Sequence, residues 1–519
     1  MKLQVTSLVF WLSAAVHLHA HIGSPNVFFE GQAGPYPVRV VIRPPGVIPG
    51  QAEISVRAQG GGIQRVSVLP IKWNAGRQGA PPPDEARLVR GETNLYSAEL
   101  WFMEGGAQSV EVSIAGAARE GKVIVPMNAI ATRVLPMPGM LEWIFILLGL
   151  LLVTLLLSIV GAAVRESVLS PGDWPTNKRR WAARGAVALA AVMVAGLLWG
   201  GKRWWDGEAA DYRNNRLYQP LQTEARVRAE NDLRILRLEI SDEKFRGAAP
   251  LVPDHGKLMH LFLVREPRLD AFAHLHPVKR GRTTFDTALP DLPAGSYRVY
   301  ADITYETGFS DTLTTLVEIP EKQAIGSADE TRTASDADDS WRVAAPLNGL
   351  ASAGAGQQQS WLSGACTMVW SAPDRLVENR ETQLRFTVRD SDGRSVPLEP
   401  YMGMRGHLAL RRDDGAVFNH LHPGGSISMA ALQLSVLRAE GKLPMKAAFG
   451  AEEPICKLPG VEESQRAWME MNASADGHSV SFPYEFPKPG RYRLWVQVKI
   501  NDRILTGVFD AEVVPARGS

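Results

Sequence analysis

KLMHLFLVREPRLDAFAHLHP (residues 257–277) and MRGHLALRRDDGAVFNHLHP (residues 404–423) decide the fold. In each, an apolar run stops at a turn signal and a second run follows that ends in H-L-H-P, which reads as an antiparallel hairpin. In the second stretch Asp414-Gly415 is a dipeptide that favours a two-residue type I′ turn. Counting outward from it sets His407 opposite His422 and Ala409 opposite His420. Residues that face each other, and residues two apart on one strand, share a face, so His407, His420 and His422 converge on one side of the hairpin. In the first stretch a three-residue turn at Pro267-Arg268-Leu269 sets His260 opposite His276, with His274 beside them.

The two hairpins sit inside a longer duplication. Upstream, Leu236-Arg237-Leu238-Glu239-Ile240 matches Leu384-Arg385-Phe386-Thr387-Val388, and downstream Gly295-Ser296-Tyr297-Arg298-Val299-Tyr300 matches Gly490-Arg491-Tyr492-Arg493-Leu494-Trp495. Three matches in one order define two β repeats, residues 231–320 and 373–516. The second carries an insertion, residues 424–478, that includes the helix-like ISMAALQLSVLRAE. Between the repeats, residues 321–372 are small, polar and aperiodic, as a linker is. Residues 21–138 show the same period-two runs, among them Val38-Arg39-Val40-Val41-Ile42 and Ser109-Val110-Glu111-Val112-Ser113-Ile114. The fold class expected is therefore mainly β: three antiparallel Ig-like or cupredoxin-like sandwich domains, with a two-helix transmembrane anchor.

The anchor is read from two apolar runs, residues 139–164 and 185–201, whose centres carry no charge. The loop between them, residues 165–184, holds Arg165, Lys178, Arg179, Arg180 and Arg184, and the positive-inside rule places it in the cytoplasm. Residues 202–230 read as a stalk. Residues 1–20 read as a secretory signal peptide; cleavage after Ala20 leaves His21 first, cleavage after Ala15 leaves Val16 first. The expected location is the bacterial cytoplasmic membrane, with the bulk of the chain on the periplasmic side.

Composition narrows the function. The 519 residues carry 56 Lys+Arg against 55 Asp+Glu, so no basic field exists to attract nucleic acid. Two cysteines, Cys366 and Cys456, exclude a four-cysteine zinc site, and in an oxidising compartment they are expected to form a disulfide. No G-x-S-x-G elbow, P-loop or H-E-x-x-H occurs, so no enzymatic activity is expected.

What remains is a histidine constellation. Three imidazoles on neighbouring sheet positions are within reach of one metal ion. Aligning His260 with His407 sets His255 against Met402, with Met259 and Met404 close by in the two copies. A thioether near imidazoles favours copper over zinc. The metal ligands expected are His255, His260, His274, His276, Met402, His407, His420 and His422, with His21, Met259 and Met404 as further candidates; copper is the expected ion and zinc the alternative. Protons compete for imidazoles, so binding is expected to weaken as pH falls through the ordinary histidine range near about 6.5.

At AHLHP (residues 273–277), NHLHP (419–423), YMGMRGH (401–407) and PAGSYRVYADI (293–303) the chain resembles bacterial extracytoplasmic copper-handling β-sandwich proteins of the CopC-like and YtkA-like kind. An N-terminal His21 is similar to the first residue of CopC-type carriers, which binds Cu(II) through its amine and ring. The resemblance implies metal binding for homeostasis or delivery, with a metal-donor or metal-acceptor protein as partner. The rival readings are an adhesive or interaction module with structural histidines, and a copper-dependent redox enzyme.

Overall fold

The computed structural model of the chain describes residues 26–117, 119–230, 233–321, 336–347, 357–362, 366–444 and 477–516. The signal segment and His21 lie outside them, as does Cys456 and with it the expected disulfide; Cys366 is a half-buried free thiol among the described residues.

The chain is mainly β, in several antiparallel sheets, with two long apolar helices. It divides into two compact units, residues 130–218 and the remainder. The smaller unit contains the helix pair Gly139–Glu166 and Asn177–Asp211, both long and apolar enough to cross a membrane, with 0% and 6% of their apolar windows buried. The second helix begins earlier than the apolar run suggested, because Thr176 accepts the Arg179 amide and caps it, and it then runs on through Asp211. The expected loop is correspondingly shorter. The expected stalk also dissolves: its first half is helix, and its second half is strand Thr223–Glu230, which pairs with Leu233–Ile240. Ala225 and Val227 of that strand pack against the first repeat's core, a burial that outweighs its charged, exposed alternate positions.

In the larger unit, the N-terminal region forms eight strands in one continuous path. Strand Asp84–Leu88 joins its two halves, pairing with Ile63–Lys72 through Asp84 to Ala86 and with Leu95–Phe102 through Arg87 and Leu88. In the first repeat, Thr223–Glu230, Leu233–Ile240 and Thr284–Ala288 form one sheet, and His260–Arg265, Ala271–Leu275 and Gly295–Tyr305 belong to another. Leu236 and Leu238 of one sheet meet Leu261, Leu263, Val299 and Ala301 of the other in a shared core. The second repeat is built alike, with Leu384 and Phe386 against Leu408, Leu410, Leu494 and Val496.

Parts of the expected linker belong to these sheets. Ser340–Val343 pairs with Ala271–Leu275, and Gln357–Trp361 with Thr367–Ser371, so the second repeat begins before residue 373. Short pairing segments embedded in polar sequence carry too little alternation to be read locally.

The strands that carry the histidines are buried on both faces. Odd positions of His260–Arg265 fill the first repeat's own core; the even ones, Phe262 and Val264, pack against the second repeat with Phe272, Tyr300, Phe418 and Trp495. Tyr300 stacks on Phe418 at 3.9 Å and Phe272 on Trp495 at 4.8 Å, the same pair contributed once from each side. Such pairs add about 0.5–1.5 kcal/mol each beyond their buried area. The two repeats therefore face each other through equivalent surfaces.

Candidate metal centre

Alternation delivers the site. His260, His274, His276, His407, His420 and His422 all occupy the positions that point away from their own cores and towards the partner repeat. The hairpin registers are those read from the turns: Leu261 faces Leu275, and Ala409 faces His420. Six histidines thus enter one buried layer, and His255 joins them from the loop before His260. None of the six is more than 9% exposed.

Two triads emerge, each with ligand atoms within 4.8 Å of one another: His260, His274 and His276, and His407, His420 and His422. Their internal geometry is duplicated. His260 Nδ1 lies 3.1 Å from His274 Nε2, and His407 Nδ1 lies 3.1 Å from His420 Nε2. Two nitrogens bound to one tetrahedral ion at the usual metal–imidazole distance of about 2.0–2.1 Å stand roughly this far apart.

The outward nitrogen of every ring meets an oxygen. In the second triad His407 Nε2 is 3.3 Å from the Tyr401 carbonyl, His420 Nδ1 is 3.3 Å from the Asp302 carboxylate, and His422 Nδ1 is 3.1 Å from the Ile427 carbonyl. In the first, His260 Nε2 faces the Asp254 carbonyl at 3.1 Å, His274 Nδ1 the Gln497 amide oxygen at 2.9 Å and His276 Nδ1 the Asp339 carboxylate at 2.9 Å. Acceptors outside draw the proton to the outer nitrogen and leave the inner lone pairs aimed at one another, an arrangement that a cation between them relieves. Consistent with this, the Nε2 atoms of His255, His276 and His422 are buried with no hydrogen-bond partner.

Burial holds the imidazoles neutral. Desolvation first, then repulsion from neighbouring histidines, lowers His274, His276, His407 and His420 well below the ordinary value and His255 to about 3; in His422, at about 3, the leading neighbour is His255. The expectation that protons compete near the ordinary histidine range is corrected accordingly. Burial raises the carboxyls of Asp302 and Asp339 to about 7.

The expected methionines fare unequally. Met259 is fully buried in the first repeat's hydrophobic core, pointing away from the histidines as alternation from His260 requires. Met404 is buried, its backbone paired with Tyr401. Met402 does match His255: both take a left-handed backbone, φ 48° and 50°, each followed by a positive-φ glycine, Gly403 and Gly256.

Five residues that sequence reasoning passed over surround the rings. Asp302 and Gln497 lie at matching places, opposite His260 and His407 in their sheets, and extending the matched GSYRVY and GRYRLW segments by two residues would have found them. Asp254 groups with His255 and His422. Asp336 and Asp339, grouped with His276, come from a stretch whose acidic, aperiodic sequence offered no signal.

The segment after His422 is held by the N-terminal region. Glu30 N donates to Gly424 O at 2.8 Å, Ser426 N to Phe28 O at 3.0 Å, and Phe28 and Val41 enter the second repeat's core.

Residues 220–320 and 363–515, which include all seven histidines, match a family model described as a domain of unknown function, DUF8832. No curated protein matches the chain. Among solved structures, it is similar to dimeric latent PorU from Porphyromonas gingivalis (7% identity over 95% of this chain, TM-score 0.15), of which it spans 34%. A bacterial ice-binding adhesin involved in host cell surface retention aligns at 7% identity over 94% of this chain and 100% of its own, TM-score 0.15. A putative membrane anchored protein from Corynebacterium diphtheriae aligns at 9% over 93% of each chain, TM-score 0.13. Likenesses at these scores carry no argument about function.

Proposed function

We propose that this is a membrane-anchored metal-binding protein of the bacterial inner membrane, whose β repeats lie on the periplasmic side and hold copper for homeostasis or delivery. The observation that carries the reading is the paired inner lone pairs, His407 Nδ1 against His420 Nε2 and His260 Nδ1 against His274 Nε2, behind rings whose outer nitrogens all face oxygens. A bound ion would be held by one triad in each repeat, and the outer oxygens would fix ring orientation and raise ligand basicity. The apolar helices and the basic residues at the ends joined by the short loop, Arg165 in the first helix and Lys178, Arg179, Arg180 and Arg184 in the second, support the membrane topology.

Zinc is the second reading, favoured by Met259 lying in the hydrophobic core and by the carboxylates of Asp254, Asp336 and Asp339 at the cluster. Elemental analysis of untagged full-length protein in detergent, followed by copper and zinc titration, tests both. The expected result is up to two ions per chain, lost together in His274→Ala/His420→Ala. Protein that binds neither ion more tightly than this double variant overturns the proposal.

A further inference from the structure

His255 stands in the first repeat, yet its ring lies nearer the second repeat's triad. Its centroid is 5.0 Å from His422 and 5.5 Å from His407, against 6.1 Å from His260. The Met402 backbone supplies the hydrogen bond to the ring, and the buried Nε2 has no partner. His255, His422 and Asp254 bring ligand atoms within 4.8 Å of one another. Asp254 is itself fixed, since its Oδ1 accepts the Ala430 amide at 3.0 Å in the first turn of helix Met429–Ala439 of the second repeat.

We propose that the second repeat's ion takes its fourth ligand from the first repeat: His255 Nε2, with the Asp254 carboxylate beside it, completes the site of His407, His420 and His422. This rests on the reading of the cluster as a metal centre and adds to it the ligand set and its preference. Four imidazoles with a nearby carboxylate suit a divalent ion, Zn(II) or Cu(II), better than Cu(I). Met402, which takes the matching backbone position in the second repeat, carries a soft thioether instead of an imidazole, so lending His255 across the repeats is an exchange that leaves the two sites unlike.

The test uses full-length protein in detergent with Zn(II) as the probe, in two backgrounds. His276→Ala isolates the second site, and His422→Ala isolates the first. Adding His255→Asn, a residue that tolerates the left-handed backbone, is expected to weaken the ion remaining in the first background by on the order of 10–100-fold, and Asp254→Asn to weaken it in the same direction. In the second background His255→Asn is expected to change nothing. Unaltered thermal melting of the metal-free variants separates ligand loss from misfolding; if His255→Asn melts early, Asp254→Asn alone decides the matter. An effect confined to the first site, or none in either background, overturns the exchange while leaving the metal centre standing. Failure of the unmodified protein to bind Zn(II) or copper overturns both.

Discussion

Asp302, carried by the first repeat, sets its Oδ2 3.3 Å from Nδ1 of His420 in the second. Its counterpart Gln497 reaches the other way, to His274. The duplicated centre is thus cross-braced, with a carboxylate behind one triad and an amide behind the other. A carboxylate raises the basicity of the imidazole it holds. Asp302→Asn is expected to weaken the second site by roughly 10–100-fold and to spare the first, whereas Gln497→Glu should strengthen the first. Competition titration with a chromophoric chelator reads both.

Acid should destabilise the metal-free protein. A histidine lowered in the folded state to about 3, as His255 and His422 are, binds protons in the unfolded chain but not in the folded one between that value and the ordinary value near about 6.5. Stability therefore falls as pH drops through this window, by up to about 1.4 kcal/mol per pH unit for each such histidine. Asp302 and Asp339, raised to about 7, act oppositely between that value and the ordinary carboxylate range, but the lowered histidines outnumber them. Melting temperatures between pH 7 and pH 5 should decline steeply without metal and much less with it; a flat metal-free profile would count against buried neutral imidazoles.

Gly425 admits no side chain. A Cβ there would stand 1.8 Å from the Phe28 carbonyl oxygen, and the backbone is at φ +124°. Gly425→Ala is expected to cost on the order of 3 kcal/mol and to loosen the N-terminal region from the His422 loop. Limited proteolysis between the N-terminal strands and the first long helix would report the release.

Trp495→Ala removes one member of the Phe272 stack at the face between the repeats. The expected loss is about 3–5 kcal/mol. Denaturant unfolding followed by tryptophan fluorescence and by metal release should move together, because the same face supports the rings.

Much of this was legible in the sequence because alternation and turn chemistry are local. His407, His420 and His422 fall on one face once Asp414-Gly415 fixes the register. The duplication likewise foretold a second hairpin of the same build. What no local reading could say is what covers the outward face: HLFLV is apolar on both sides, but nothing in it names Phe418 and Trp495 as the cover. For that reason the sequence shows two hairpins but not the layer they share, nor that the His255 ring lies nearer His422 than His260. Asp336 and Asp339 act from a segment with no periodicity, and nothing short of tertiary structure brings them to His276.

The bond from Phe28 N to Ser426 Oγ spans 398 residues of chain. The N-terminal strands leave the ribosome first, and Phe28 and Val41 then wait for a surface that is made only when the second repeat is made. Gln497, which orients His274, comes later still. Contacts of such separation close slowly, since loop entropy must be overcome before they reward folding. The histidine layer is therefore expected to close only after the second repeat has been made, so a truncated or half-made chain should display histidines without the geometry to retain an ion.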